Sequence, residues 1–189
     1  AQDVIVKPSP KITATNTSGT GVCAGTVVTL KGTSNSPGTY EWSKGGVVVS
    51  SSTTTPNYAL TATTSATSGT YTFKVTTADG CVSTATTDVV VNDIPNAPTI
   101  TQPAAICDGS DLQIKATAPT NISGATYTYD WSGPNSYIGT TLNVTITGAT
   151  TAATGTYSVT ATAKGCTSAV ATIDATVNPK PAAPQAGNP

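Results

Sequence analysis

Apolar and polar residues alternate along this chain in short runs with a period of two, and Gly, Pro, Asn and Ser separate the runs. That period puts successive side chains on opposite faces of an extended strand. Thr70-Tyr71-Thr72-Phe73-Lys74-Val75 shows it, with Tyr71, Phe73 and Val75 facing one way, and Leu142, Val144 and Ile146 repeat the logic downstream. The pattern predicts strands near 11–16, 26–33, 39–44, 46–50, 58–63, 69–77 and 82–92, then near 99–102, 111–118, 125–132, 141–147, 155–163 and 167–178. No stretch of useful length carries a 3.6-residue stripe. Two groups of six or seven short strands predict two Greek-key β-sandwiches. Trp42 and Trp131 fall mid-strand and are expected in the cores, with Tyr71 and Tyr157 as further core aromatics.

The strand pattern recurs because the sequence does. Tyr40-Glu41-Trp42-Ser43 matches Tyr129-Asp130-Trp131-Ser132, and Gly69-Thr70-Tyr71 matches Gly155-Thr156-Tyr157. Ala78-Asp79-Gly80-Cys81 matches Ala163-Lys164-Gly165-Cys166, and Val91-Asn92 matches Val177-Asn178. The offset stays within 84 to 89 residues throughout, which is the mark of tandem modules. The expected organisation is a first repeat over 9–93 and a second over 94–179. Residues 1–8 resemble the last strand and linker of a preceding repeat, and 180–189 resemble a proline-rich linker and the start of a following one. On this reading the chain is a window on a longer array. Val4-Ile5-Val6 would then be a last-strand sequence without its own domain, suited to strand addition onto another subunit.

Composition narrows the function. The 189 residues carry 8 basic and 9 acidic side chains, 9% charged in all, and no histidine or methionine. So few cations leave no electrostatic footprint for nucleic acid. No apolar run reaches the ~18–20 residues of a membrane helix. Without histidine there is no imidazole base and no histidine-ligated metal. The 41 threonines suit a pleated sheet and keep its outer face wet without charge, which leaves strand edges short of the lysines that block edge pairing.

The candidate chemistry is sparse. Asn92-Asp93 with Pro95, helped by Asp108 and Asp111, is a thin calcium candidate, and the second linker, Asn178-Pro179-Lys180-Pro181, lacks the acid. Solvated turn residues are the better reading, and no metal or cofactor is expected. Glu41 and Asp130 flank the tryptophans, but alternation puts them on the outer face, and a glycosidase would need two converging carboxylates. No catalytic residue is assigned and no enzymatic activity is expected. Asn16, Asn121 and Asn143 match the N-glycosylation pattern in a chain where chance matches are common, and Ser50 to Thr55 reads as an exposed loop.

Cys-Ala-Gly at 23–25 and Cys-Asp-Gly at 107–109, then Tyr-x-Trp-Ser, Gly-Thr-Tyr, a Gly-Cys turn, a Val-rich strand and a proline linker make up each unit. This order resembles the immunoglobulin-like and PKD-like repeats of Bacteroidetes-type cell-surface proteins, gliding-motility adhesins among them. The resemblance covers nearly the whole chain and is specific for the module, not for one protein. The expected fold is all-β: two tandem Ig-like Greek-key β-sandwich domains in an extended rod. The resemblance implies export to the bacterial cell surface and a non-catalytic, stalk-like or adhesive role. The leading expectation is a structural module of an extracellular stalk, fibre or filament. Its partners would be neighbouring repeats or other copies of the protein. The alternatives are an adhesin module binding surface polysaccharide through loops near 45–55 and 133–140, and a spacer in a secreted enzyme.

Four cysteines without other metal ligands read as disulfides of an oxidising compartment. Cys23 and Cys81 are 58 positions apart, and Cys107 and Cys166 are 59, which suggests one bridge inside each repeat. Antibody domains place a Tyr two residues before the second cysteine of such a bridge, and here Tyr71 and Tyr157 lie much farther upstream. The strand map puts the two cysteines of a repeat at opposite ends of the sandwich. Strands of about seven residues hold those ends over ~20 Å apart, whereas a disulfide spans a Cα separation of about 7 Å at most. Inter-repeat pairing, with Cys23 to Cys166 and with Cys81 and Cys107 bonding to neighbours beyond this window, therefore stands as the alternative, and free thiols as a third.

Overall fold

The computed structural model of the chain describes residues 7–19 and 21–182. The chain divides into two compact units, Ala1–Asp93 and Ile94–Pro189. The first contains β1 (Ile12–Asn16), β2 (Val22–Cys23), β3 (Val27–Ser34), β4 (Thr39–Lys44), β5 (Val47–Ser52), β6 (Tyr58–Thr61), β7 (Gly69–Thr76), β8 (Val82–Val89) and β9 (Val91–Asn92). A three-residue 3-10 turn, Ser65–Thr67, precedes β7.

One sheet of this unit has the order β1-β3-β6 and the other β5-β4-β7-β8. All these neighbours are antiparallel. The short β2 instead pairs in parallel with β9, Val22 against Val91 and Cys23 against Asn92. The two main sheets form the sandwich because their central strands, β3 in one and β7 in the other, bury every second residue. In β7 the buried set is Tyr71, Phe73 and Val75. Val28, Leu30, Trp42, Leu60, Val89 and Val91 complete the core with them.

The second unit repeats the plan with β10 (Thr99–Thr101), β11 (Ile106–Cys107), β12 (Ser110–Thr117), β13 (Thr128–Gly133), β14 (Tyr137–Gly139), β15 (Val144–Ala149), β16 (Gly155–Ala163), β17 (Cys166–Thr167), β18 (Ala171–Ala175) and β19 (Val177–Asn178). Its sheets are β10-β12-β15 and β14-β13-β16, with β17 and β18 both pairing on β16. β11 pairs in parallel with β19, Cys107 against Asn178, as β2 does with β9. The core holds Leu112, Ile114, Trp131, Val144, Tyr157 and Val159 among others.

Several boundaries differ from the sequence pattern. The Val-rich run ends at Ser52 as strand β5, so the middle of the stretch expected as loop at 45–55, and the first half of the exposed loop expected at 50–55, is sheet edge. β14 lies within the stretch expected as loop at 133–140. The single strand expected over 167–178 is broken into three: at the first break the Ser168 hydroxyl accepts a hydrogen bond from the Ala161 amide at 3.0 Å and donates to the Ala169 carbonyl at 2.7 Å, and after the second the Val177 amide donates to the Thr154 hydroxyl at 2.9 Å, local bonds that compete with the ladder. Val4, Ile5 and Val6 lie outside the described residues.

Candidate functional site

The two units share one polar framework. Trp42 Nε1 donates to the Pro56 carbonyl at 2.8 Å, and Trp131 Nε1 to the Thr141 carbonyl at 2.9 Å. Both indoles are buried, so the bond removes the cost of a lone N–H in the core. Tyr71 and Tyr157 each donate a hydroxyl to the carbonyl four residues upstream, Thr67 at 3.0 Å and Ala153 at 2.9 Å. This is the corner that immunoglobulin-type sandwiches build at the start of the same strand. Two residues on, where antibody domains carry the second cysteine, stand Phe73 and Val159, both buried. Burial, and secondarily the charge of Tyr58 and Tyr137 respectively, pushes the Tyr71 and Tyr157 phenols above their ordinary value.

Asp88 and Asp174 extend the same framework. Asp88 accepts from the Thr70 hydroxyl and Asp174 from the Thr156 hydroxyl, at 2.6 and 2.5 Å. Glu41 pairs with Lys74 at 2.7 Å across the β4–β7 ladder, so it faces out while Trp42 faces in. Asp130 is exposed beside Trp131 in the same way. Asp93 accepts from the Ser65 amide at 2.6 Å and the Ser65 hydroxyl at 2.5 Å, which ties the chain's exit from the first unit to the 3-10 turn. No cluster of three potential metal ligands occurs among the described residues.

The three asparagines of the glycosylation pattern are also structural. Asn16 bonds the carbonyls of Gly19 and Asp88, Asn121 bonds the Ile94 carbonyl and the Asn96 amide, and Asn143 accepts from the Ala116 amide. The loops considered for ligand binding hold no aromatic shelf. Tyr137 packs edge-on against Tyr157 with ring centroids 5.8 Å apart.

What remains is the cysteines, and each unit places its pair at opposite ends. Call the end where β1 or β10 begins the N-terminal pole, and the end where β9 or β19 finishes the C-terminal pole. Cys23 and Cys107 sit at the C-terminal poles, fixed by the parallel pairs β2–β9 and β11–β19. Their loops have the same geometry: Ala24 and Asp108 amides donate to Asn92 and Asn178 carbonyls, and Gly25 and Gly109 follow at φ of 89° and 86°. That left-handed conformation suits glycine. Cys81 and Cys166 sit at the N-terminal poles, in turns that carry Gly80 and Gly165 at φ of 80° and 79°.

Bridges inside a repeat, Cys23 to Cys81 and Cys107 to Cys166, are not formed. Cys81 and Cys107 are free thiols, whereas Cys23 and Cys166 are each disulfide-bonded. The reason is the length of β7 and of β16. At ~3.3 Å per residue, eight or nine residues separate the poles by well over 20 Å, three times what a disulfide spans. Cys81 is half-buried, with its sulfur 3.9 Å from the Lys7 carbonyl, and beside it opens a cleft of about 310 Å³. Lys7 and Asp79 form an ion pair on the rim. Cys107 is exposed, and Lys180 lies against the adjoining Gly109.

No family of known sequences matches the chain, and no curated protein matches it. Among solved structures it is similar to the N-terminal eight Ig domains of the Down Syndrome Cell Adhesion Molecule, at 16% identity over 90% of this chain and 25% of that one, with a TM-score of 0.57. It is also similar to fibronectin(III)-like modules of Clostridium thermocellum CbhA, at 20% identity over 88% and 94% of the two chains, with a TM-score of 0.43. Murine CEACAM1b is another, at 13% identity over 87% and 100%, with a TM-score of 0.46. At these identities the likeness is one of fold. The chain is all-β, with tandem immunoglobulin-like sandwiches. The disulfide-bonded cysteines fit an oxidising environment. No helix among the described residues is long and apolar enough to cross a membrane.

Proposed function

We propose that this chain is a non-enzymatic structural module of an extracellular bacterial repeat protein that builds a stalk, fibre or surface filament, with a disulfide joining successive repeats. The observation that carries this reading is the redox state of the four cysteines. Cys23 stands at the pole where the chain leaves the first unit, Cys166 at the pole where it comes into the second, and these two are the oxidised ones. A Cys23–Cys166 bond would fasten module to module across the proline linker and restrict bending that a linker alone permits. Trp42, Trp131, Tyr71 and Tyr157, with Asp88 and Asp174, go to a framework that both units repeat, and this supports a scaffold in preference to a catalyst. The motif resemblance to Bacteroidetes-type surface arrays points the same way.

A non-reducing peptide map is the test. The reading requires a Cys23–Cys166 peptide, and a Cys23–Cys81 peptide would end it. Electron microscopy of native material should then show periodic filaments or rods. Binding of the monomeric chain on a glycan array, with no assembly, would favour the adhesin alternative.

A further inference from the structure

Two cysteines are left over, and they are not equivalent. Cys81 occupies in the first unit the position that Cys166 occupies in the second, in matched Ala-x-Gly-Cys turns at the N-terminal pole. Cys107 occupies in the second unit the position that Cys23 occupies in the first, in matched loops on parallel strand pairs. The chain thus contains two examples of each kind of site, and in each kind one example is oxidised and one is a thiol. The free N-terminal-pole cysteine has a cleft beside it, lined by Lys7, Pro8, Ser36, Pro37, Thr77 and Asp79. The free C-terminal-pole cysteine is exposed on a narrow loop, next to a half-buried Asp108. Opposite charges stand on both sides: Lys7 and Asp79 at the cleft, and Asp108 and Lys180 at the loop.

We infer that Cys81 and Cys107 are the two halves of an intermolecular joint, in which the Ile106–Gly109 loop of one copy docks at the cleft beside Cys81 of a second copy and the two sulfurs bond. The inference rests on the repeat reading above and names its partner, a second copy of this chain joined head to tail. The chemistry is thiol–disulfide exchange with a small-molecule disulfide such as oxidised glutathione. Attack of one protein thiolate opens the reagent, leaving one protein sulfur as a mixed disulfide and expelling one thiol. The second protein thiolate then attacks that sulfur and expels the other thiol. Two protein thiols are oxidised to one disulfide while one molecule of reagent is reduced to two thiols. The contact is heterologous, so it leaves a free half at each end and does not close.

The test is oxidation of the 189-residue chain in a glutathione redox buffer, followed on non-reducing gels. The wild-type chain should give a ladder of oligomers. Cys81→Ser alone and Cys107→Ser alone should stay monomeric. Their equimolar mixture should give dimers and nothing longer, in roughly tenfold excess over either variant alone, the margin that about 1.4 kcal/mol of docking preference supplies. Near-ultraviolet circular dichroism from Trp42 and Trp131 checks that both variants keep the fold. Equal dimerisation of a single variant by itself overturns the inference, as does a wild-type chain that stays monomeric. Cleavage before aspartate separates Cys81 from Cys107, which trypsin leaves on one peptide. The same digest reads Cys23–Cys166 independently. That bond present without a Cys81–Cys107 link ends the joint and spares the proposed function, and its absence ends the proposed function itself.

Discussion

At the scale of single residues, the cores are set by a few contacts that leave no slack. Gly32 is one. A Cβ there would lie 2.5 Å from Phe73 Cζ and 2.7 Å from the Pro56 carbonyl oxygen, the same oxygen that receives the Trp42 indole N–H. Gly32→Ala should cost about 1–3 kcal/mol through displacement of that ring and backbone. A denaturant midpoint that does not move would contradict it. The buried tyrosines give a second prediction, on pH. Tyr71 and Tyr157 have folded-state pKa values raised above 10.0 by burial first and by Tyr58 or Tyr137 second. Their neutral form is the one that donates to Thr67 and Ala153. The stability they contribute is therefore fully present below their unfolded value near 10 and is lost as pH rises through the raised folded values. Thermal melts should be insensitive to these groups from neutrality to about pH 9 and should fall beyond pH ~10. A drop between pH 7 and 9 that Tyr71→Phe removes would refute this.

At the scale of elements, the edge strand β5 exposes three consecutive valines. Val47, Val48 and Val49 are 68%, 52% and 39% exposed, and among the described residues β5 pairs only with β4. An uncharged edge of this kind invites a further strand. Val48→Lys should reduce self-association in light scattering at high concentration, with stability changed by no more than ~0.5 kcal/mol. Unchanged scattering would place the sticky surface elsewhere. The strands carrying Trp42, Tyr71, Trp131 and Tyr157 were legible because alternation against threonine marks a buried face. The strands β2 and β11 were not. Each is two residues long and is held by a partner about 70 positions away, so no local period announces it. β5 reads as part loop because its valines and serines do not alternate at a surface edge. The use of Asp93 to anchor Ser65 was equally silent, since the two lie 28 positions apart. The equal spacing of cysteines within repeats suggested a partner that the length of β7 and β16 rules out.

At the scale of the whole molecule, the redox state is directly countable. A thiol reagent should titrate two groups per native monomeric chain, Cys81 and Cys107, and four after denaturation and reduction. A count of zero on the native monomer would mean that bonds form within each repeat. A Cys23–Cys166 bond would also change how the chain carries load. The covalent path between its ends would run from residue 23 straight across to 166, and roughly 140 residues would hang off that path as a closed loop. Pulled from its termini, an oxidised chain would keep those residues out of the stretched contour even if their sheets opened, hiding on the order of 480 Å at ~3.4 Å per residue. Reduction would release that length. Extension traces with and without reductant should differ by about that amount, so that the redox state would set how far the module can be drawn out, while the β-sandwiches set only the force at which it yields.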